Sequence, residues 1–127
     1  VIALSSGESE FYSIVRGVAT GLGLKSMAKD FGIELELQVE TDSAAARGMS
    51  LRLGAGKVRH IHTQWLWVQG VFSRKEAVIK KIPGATNDAD LMTKYLDGKR
   101  IQELMGQSGF TFAEGRSALA LKAATGE

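Results

Sequence analysis

Apolar and polar positions alternate most cleanly between Glu34 and Thr41. Leu35, Leu37, Val39 and Thr41 share one parity, while Glu34, Glu36, Gln38 and Glu40 share the other. That is the period of a strand with one buried face. Asp42 follows where the strand should end, and Ser43-Ala44-Ala45-Ala46 opens a short helix to about Ser50. Upstream, Ser5-Ser6-Gly7-Glu8 has the form of a capping box, so a helix is expected to begin near Ser6. Phe11, Ile14, Val15, Val18 and Leu22 then recur at helical spacing, Met27 and Phe31 extend the stripe, and Gly32 is a natural stop. Gly17 and Gly21 lie four apart on that helix, where close packing against another backbone would account for them.

Farther along, Leu53-Gly54-Ala55-Gly56-Lys57 reads as a flexible basic loop. It is a poor phosphate loop, because it lacks the Gly-Lys-Ser/Thr ending and a preceding strand. From His60 to Phe72 a stripe of Ile61, Trp65, Val68 and Phe72, with Leu66 and Val71 beside it, predicts an amphipathic helix; Trp67 falls off that stripe. Ala77 to Ile82 reads as a second strand, ended by Pro83 and Gly84. Asn87 is the expected cap of a further helix bearing Leu91, Met92, Tyr95 and Leu96, and Lys99 to Met105 gives another turn or two before Gly106. Residues 107–127 are expected to form an alanine-rich, poorly ordered tail after a domain over 1–106. Strands alternating with helices predict an α/β fold with at least one parallel pair.

Composition narrows the class without fixing it. The chain has 127 residues, 44% hydrophobic and 24% charged, enough for one domain with a core. No run of about 18 uncharged apolar residues suggests a membrane span, and no leader peptide is legible. The chain opens on Val1 within an apparent strand, Val1 to Leu4, which predicts a piece of a longer polypeptide. The absence of cysteine removes disulfides and thiolate metal sites. Net charge is only +2, but the excess is local: Arg47, Arg52, Lys57 and Arg59 occupy a stretch with no acid between Ser43 and Arg74. Such a segment suits a nucleic-acid backbone, and it equally suits a solvated surface.

Three acids stand at helix junctions: Glu10 and Asp90 in first turns, and Asp42 after a strand. Asp42 has two readings, a carboxylate at the mouth of a sheet and a plain helix cap. Carboxylates gathered at one sheet end can hold Mg2+, and two such ions support phosphodiester hydrolysis. Acids in first turns also follow from the helix dipole alone.

Four strings add to this. Val1 to Ser13 (VIALSSGESEFYS) resembles the "ALSSxEAEYxA" segment of the RNase H domain of copia-type retrotransposon Pol polyproteins. Thr41-Asp42-Ser43 resembles the family's Asp at the end of its fourth strand, and Lys57 to Ile61 its "KHID" stretch. Pro83 to Lys94 resembles its closing "N-x-x-A-D-x-x-T-K" segment. The strings keep the family's order over about residues 1 to 97.

The resemblance implies an RNase H-like α/β fold with an incomplete mixed sheet: a third-strand remnant and two parallel C-terminal strands. It implies Glu10, Asp42 and Asp90 as catalytic carboxylates that bind Mg2+ or Mn2+, with Glu8 as the capping acid and Asp88 as the near neighbour of Asp90. Arg47, Arg52, Lys57 and Arg59 would meet an RNA–DNA hybrid, and the reverse transcriptase of the polyprotein would be the covalent partner, in cytoplasm or nucleus. His60 matches the family string without a derivable role, His62 stands where the family commonly has Asp, and Pro83 to Thr86 lacks the histidine of many cellular relatives. The family's first strand, with the Asp that bridges both ions, has no counterpart here. The alternative expectation is therefore a catalytically inactive remnant, at most a module that binds nucleic acid or another protein.

Overall fold

A computed structural model of the chain describes residues 3–57, 61–111 and 113–115. The expectations that fall on Val1 and Ile2, on Val58, Arg59 and His60, and on residues 112 and 116–127 lie outside the described residues. The described chain separates into two compact units, Val1–Asn87 and Asp88–Glu127.

The first unit holds helix α1 (Ser6–Asp30), strand β1 (Gln38–Thr41), helix α2 (Ala44–Leu51), a 3₁₀ turn (Thr63–Trp65), helix α3 (Trp67–Ser73) and strand β2 (Val78–Lys81). α1 starts where its sequence predicts. The Ser5 hydroxyl accepts from the Glu8 N–H, and Glu8 Oε2 accepts from the Leu4 N–H. The helix ends at Gly32, whose positive φ of 78° no side chain would favour. Phe11, Ile14, Val15 and Val18 are buried, but Met27 and Phe31 are exposed, so the apolar stripe leaves the core after Leu22.

β1 and β2 are parallel, with Gln38 opposite Val78 and Thr41 opposite Lys81. The chain is thus α/β, with one two-stranded sheet among the described residues. Val39 and Ile79 share the inward face, packed with α1, α2 and α3 around Phe11, Val18, Ala46, Met49, Val68 and Phe72. The strand is shorter than the alternation predicts: residues 34–37 are not assigned to a strand, since β2 begins at Val78, whose N–H bonds the Leu37 carbonyl at 2.9 Å, and offers Glu34 to Glu36 no ladder partner. Ala3 and Leu4 are not strand either, so the third-strand remnant has no counterpart among the described residues.

The expected helix from His60 is broken into the 3₁₀ turn and α3, yet its stripe survives. Ile61, Val68, Val71 and Phe72 are buried, Trp65 and Leu66 pack against them, and Trp67 is exposed. The loop after α2 is tied rather than free. The buried Gln69 amide accepts from the Gly54 N–H and donates to the carbonyls of Met49 and Gly54, at 2.8 to 3.0 Å.

The second unit holds α4 (Asp90–Thr93) and α5 (Gly98–Gln107). Asn87 does not cap α4, because it closes a 3₁₀ turn over Gly84–Thr86, and Ala89 takes the cap position without a side-chain bond. Met92 and Tyr95 are fully exposed, contrary to the predicted apolar face. Asp97 caps α5, which runs through Gly106 and buries Leu104.

Candidate functional site

The carboxyl end of β1 is set by three neighbouring side chains. Thr41 is buried, and its hydroxyl accepts from the Ser43 N–H at 3.1 Å. Ser43 caps α2 by accepting from the Ala46 N–H at 3.1 Å. Asp42 stands between them and makes no hydrogen bond or ion pair among the described residues. The cap that Asp42 could have supplied is therefore supplied by Ser43. The half-buried carboxylate lies against Gly84, where an added Cβ would come 3.3 Å from Oδ2.

Two close approaches fix α1 against this end. A Cβ on Gly21 would meet Leu37, and one on Gly7 would lie 2.9 Å from the Ala45 Cβ. α1 and the segment from Leu37 to Ala45 thus run in opposite directions. Glu10 is exposed and lies three residues after Gly7, and Asp42 lies three residues before Ala45, so both flank the Gly7–Ala45 contact in sequence.

Glu8 does a different job. It is fully buried, with Oε1 accepting from the Tyr12 hydroxyl at 2.6 Å in addition to the Leu4 bond. The Glu8 carboxylate, by hydrogen bond first and burial second, pushes the Tyr12 phenol up to about 12. The Tyr12 ring stands edge-on to Trp65, with centroids 5.8 Å apart. The structure thus separates the two acids that the sequence leaves adjacent: Glu8 is interior and bonded, and Glu10 is at the surface.

Asp90 belongs to the second unit. It is buried at the start of α4, and its Oδ1 pairs with Lys94 Nζ at 2.8 Å. Asp88 is exposed. Among the described residues no group of three or more Asp, Glu, His or Cys side chains could hold a metal ion. Glu10 and Asp42 are hard oxygen donors of the kind Mg2+ takes, but two carboxylates, with Asp90 tied to a lysine, do not fit a two-ion centre.

The basic residues are also sorted. Arg47 and Lys57 are exposed, Arg59 lies outside the described residues, and Arg52 is folded onto its own loop, donating from Nη2 to the Ala55 carbonyl at 2.6 Å. Gln69, the residue that fixes this loop, went unmarked in the sequence; its signal is a polar side chain between Val68 and Phe72 on an apolar stripe. Among the described residues no helix is long and apolar enough to cross a membrane. No protein-family model, no curated protein and no solved structure matches the chain.

Proposed function

We propose that this chain is part of an RNase H-like domain of a copia-type retroelement polyprotein, whose complete form hydrolyses the RNA strand of an RNA–DNA hybrid inside the cell, in cytoplasm or nucleus. The observation that supports it is the half-buried Asp42 carboxylate at the carboxyl end of β1, relieved of capping by Ser43 and without a hydrogen bond or ion pair among the described residues. In this reading Glu10 and Asp42 are two of the parent's carboxylates, and Mg2+ or Mn2+ belongs to the completed site. For the chain as it stands the reading is binding without hydrolysis, since the described carboxylates do not make a two-ion centre.

A second reading, an inactive module that binds nucleic acid or the reverse transcriptase portion of its polyprotein, is favoured by the exposed cations Arg47 and Lys57. One experiment separates the two. A labelled RNA–DNA hybrid is incubated with Mg2+ and either this chain or the polypeptide extended upstream through the strands the family carries there. The first reading expects salt-sensitive binding by the chain, cleavage by the extended form, and loss of that cleavage on Asp42→Asn. Cleavage that survives Asp42→Asn would refute the assignment of Asp42. An extended form that binds and never cuts would leave the inactive module.

A further inference from the structure

At the amino end of β2, away from Asp42, a shallow groove of about 280 Å3 runs between α2, the end of α3 and the start of the strand. Its floor is apolar: Phe72 and Ile79 lie deep, while Leu51 and Val78 are about half exposed along its sides. Arg47 and Lys75 also line it, and none of its lining side chains is acidic. Neither cation has a side-chain hydrogen bond or ion pair among the described residues. Glu76, next to Lys75 in the chain, is directed instead to Arg74, with Oε1 2.7 Å from Nε.

Lys75 is there against local preference. It is the one non-glycine with positive φ, 59°, among the described residues. It occupies the position after α3 where its own N–H bonds the Phe72 carbonyl and the Glu76 N–H bonds that of Val71, a helix ending that glycine suits best. The lysine gives up backbone comfort and places a cation at the groove.

We infer that this groove docks an acidic peptide segment, with one apolar side chain set between Leu51 and Val78 above Phe72 and Ile79, and flanking carboxylates on Arg47 and Lys75. Charge complementarity names the sign of the partner, and the floor names its class. Nearly covered, Phe72 offers no open ring on which a base could stack, and the remaining floor is aliphatic. A single-stranded nucleic acid would want exposed aromatic faces between its phosphate contacts. The groove lies at the strand end opposite Asp42, so the inference does not rest on the hydrolytic reading.

The test is fluorescence anisotropy of a labelled peptide Glu-Asp-Leu-Phe-Asp-Glu titrated with the full 127-residue chain, with a labelled oligothymidylate of equal charge alongside. The expected result is saturable peptide binding, weakened about three- to five-fold by Arg47→Ala, the size of a partly exposed ion pair. Leu51→Ser should weaken it about tenfold through lost apolar contact. Lys75→Gly should weaken binding while raising the thermal midpoint, so that weaker binding is not unfolding. Failure to saturate, binding indifferent to all three substitutions, or oligothymidylate binding more tightly and displacing the peptide would each overturn the inference.

Discussion

Gly21 makes room for Leu37: a Cβ at that position would lie 2.5 Å from Leu37 Cδ1, whereas one on Gly17, a turn earlier in the same helix, would meet nothing within 4 Å. Two glycines with the same helix propensity thus have different consequences. Gly17→Ala should stabilise the chain by about 0.5 to 1 kcal/mol. Gly21→Ala gains the same propensity but forces Leu37 to move, and should leave the chain about 1 to 3 kcal/mol less stable than the Gly17 variant. Urea unfolding of the two variants side by side measures the difference, and equal midpoints would contradict the packing.

The buried Glu8–Tyr12 bond predicts a response to alkali. The folded phenol is pushed up to about 12 from an ordinary 10.0. Because the folded value is the higher one, the stabilisation is whole below pH 10 and is lost as pH rises through 12. The difference in phenolate absorbance between the native chain and Tyr12→Phe should therefore titrate near pH 12. At neutral pH, Tyr12→Phe should cost about 1 to 3 kcal/mol, since it removes a donor from a buried carboxylate.

Asp42 and Ser43 can be separated in the same way. Ser43→Ala removes the cap of α2 and should cost about 1 kcal/mol. Asp42→Asn removes no bond present among the described residues and should change stability by less than about 0.5 kcal/mol. Should Asp42→Asn prove the more damaging of the two, the division of labour drawn here between cap and free carboxylate is wrong.

Gln69 holds both ends of the turn after α2. Gln69→Leu keeps the volume but strands the Met49 and Gly54 carbonyls and the Gly54 N–H, which should cost about 2 to 3 kcal/mol. Hydrogen exchange should quicken at Gly54 before it does in β1 or β2. Uniform exchange across the unit would mean that the loop is held by something else.

How far the sequence could be read depended on whether the partner of each group was close along the chain. The Ser5–Glu8 cap, the Gly32 stop and the stripe from Phe11 to Val18 are local, and all three are present. The alternation from Glu34 to Thr41 is equally clear, but a ladder needs a neighbour. That neighbour starts opposite Gln38, after Lys75 and Glu76 have turned the chain, so Leu37 is held only through its carbonyl and Glu34 to Glu36 have no ladder partner among the described residues. Asn87 has the chemistry of a cap, and only the 3₁₀ turn before it reveals that it closes one element instead of opening the next. Glu8 and Glu10 differ by two positions, or about 200° around a helix, and a capping pattern distinguishes their roles once Tyr12 is known to face Glu8. Carrying the family's carboxylates across does not anticipate that the Asp90 carboxylate is held by Lys94.

The parallel register joins Gln38 to Val78, so the ladder closes only after the residues between them have been made. During synthesis α1, β1 and α2 emerge before β2, and α1 can dock on α2 through the Gly7–Ala45 contact while the β1 edge that β2 will take is still bare. A nascent chain stalled before Val78 would carry β1 without its β2 partner. Its hazard on the ribosome is therefore pairing with a neighbouring chain, and the emergence of β2 ends that exposure on one edge.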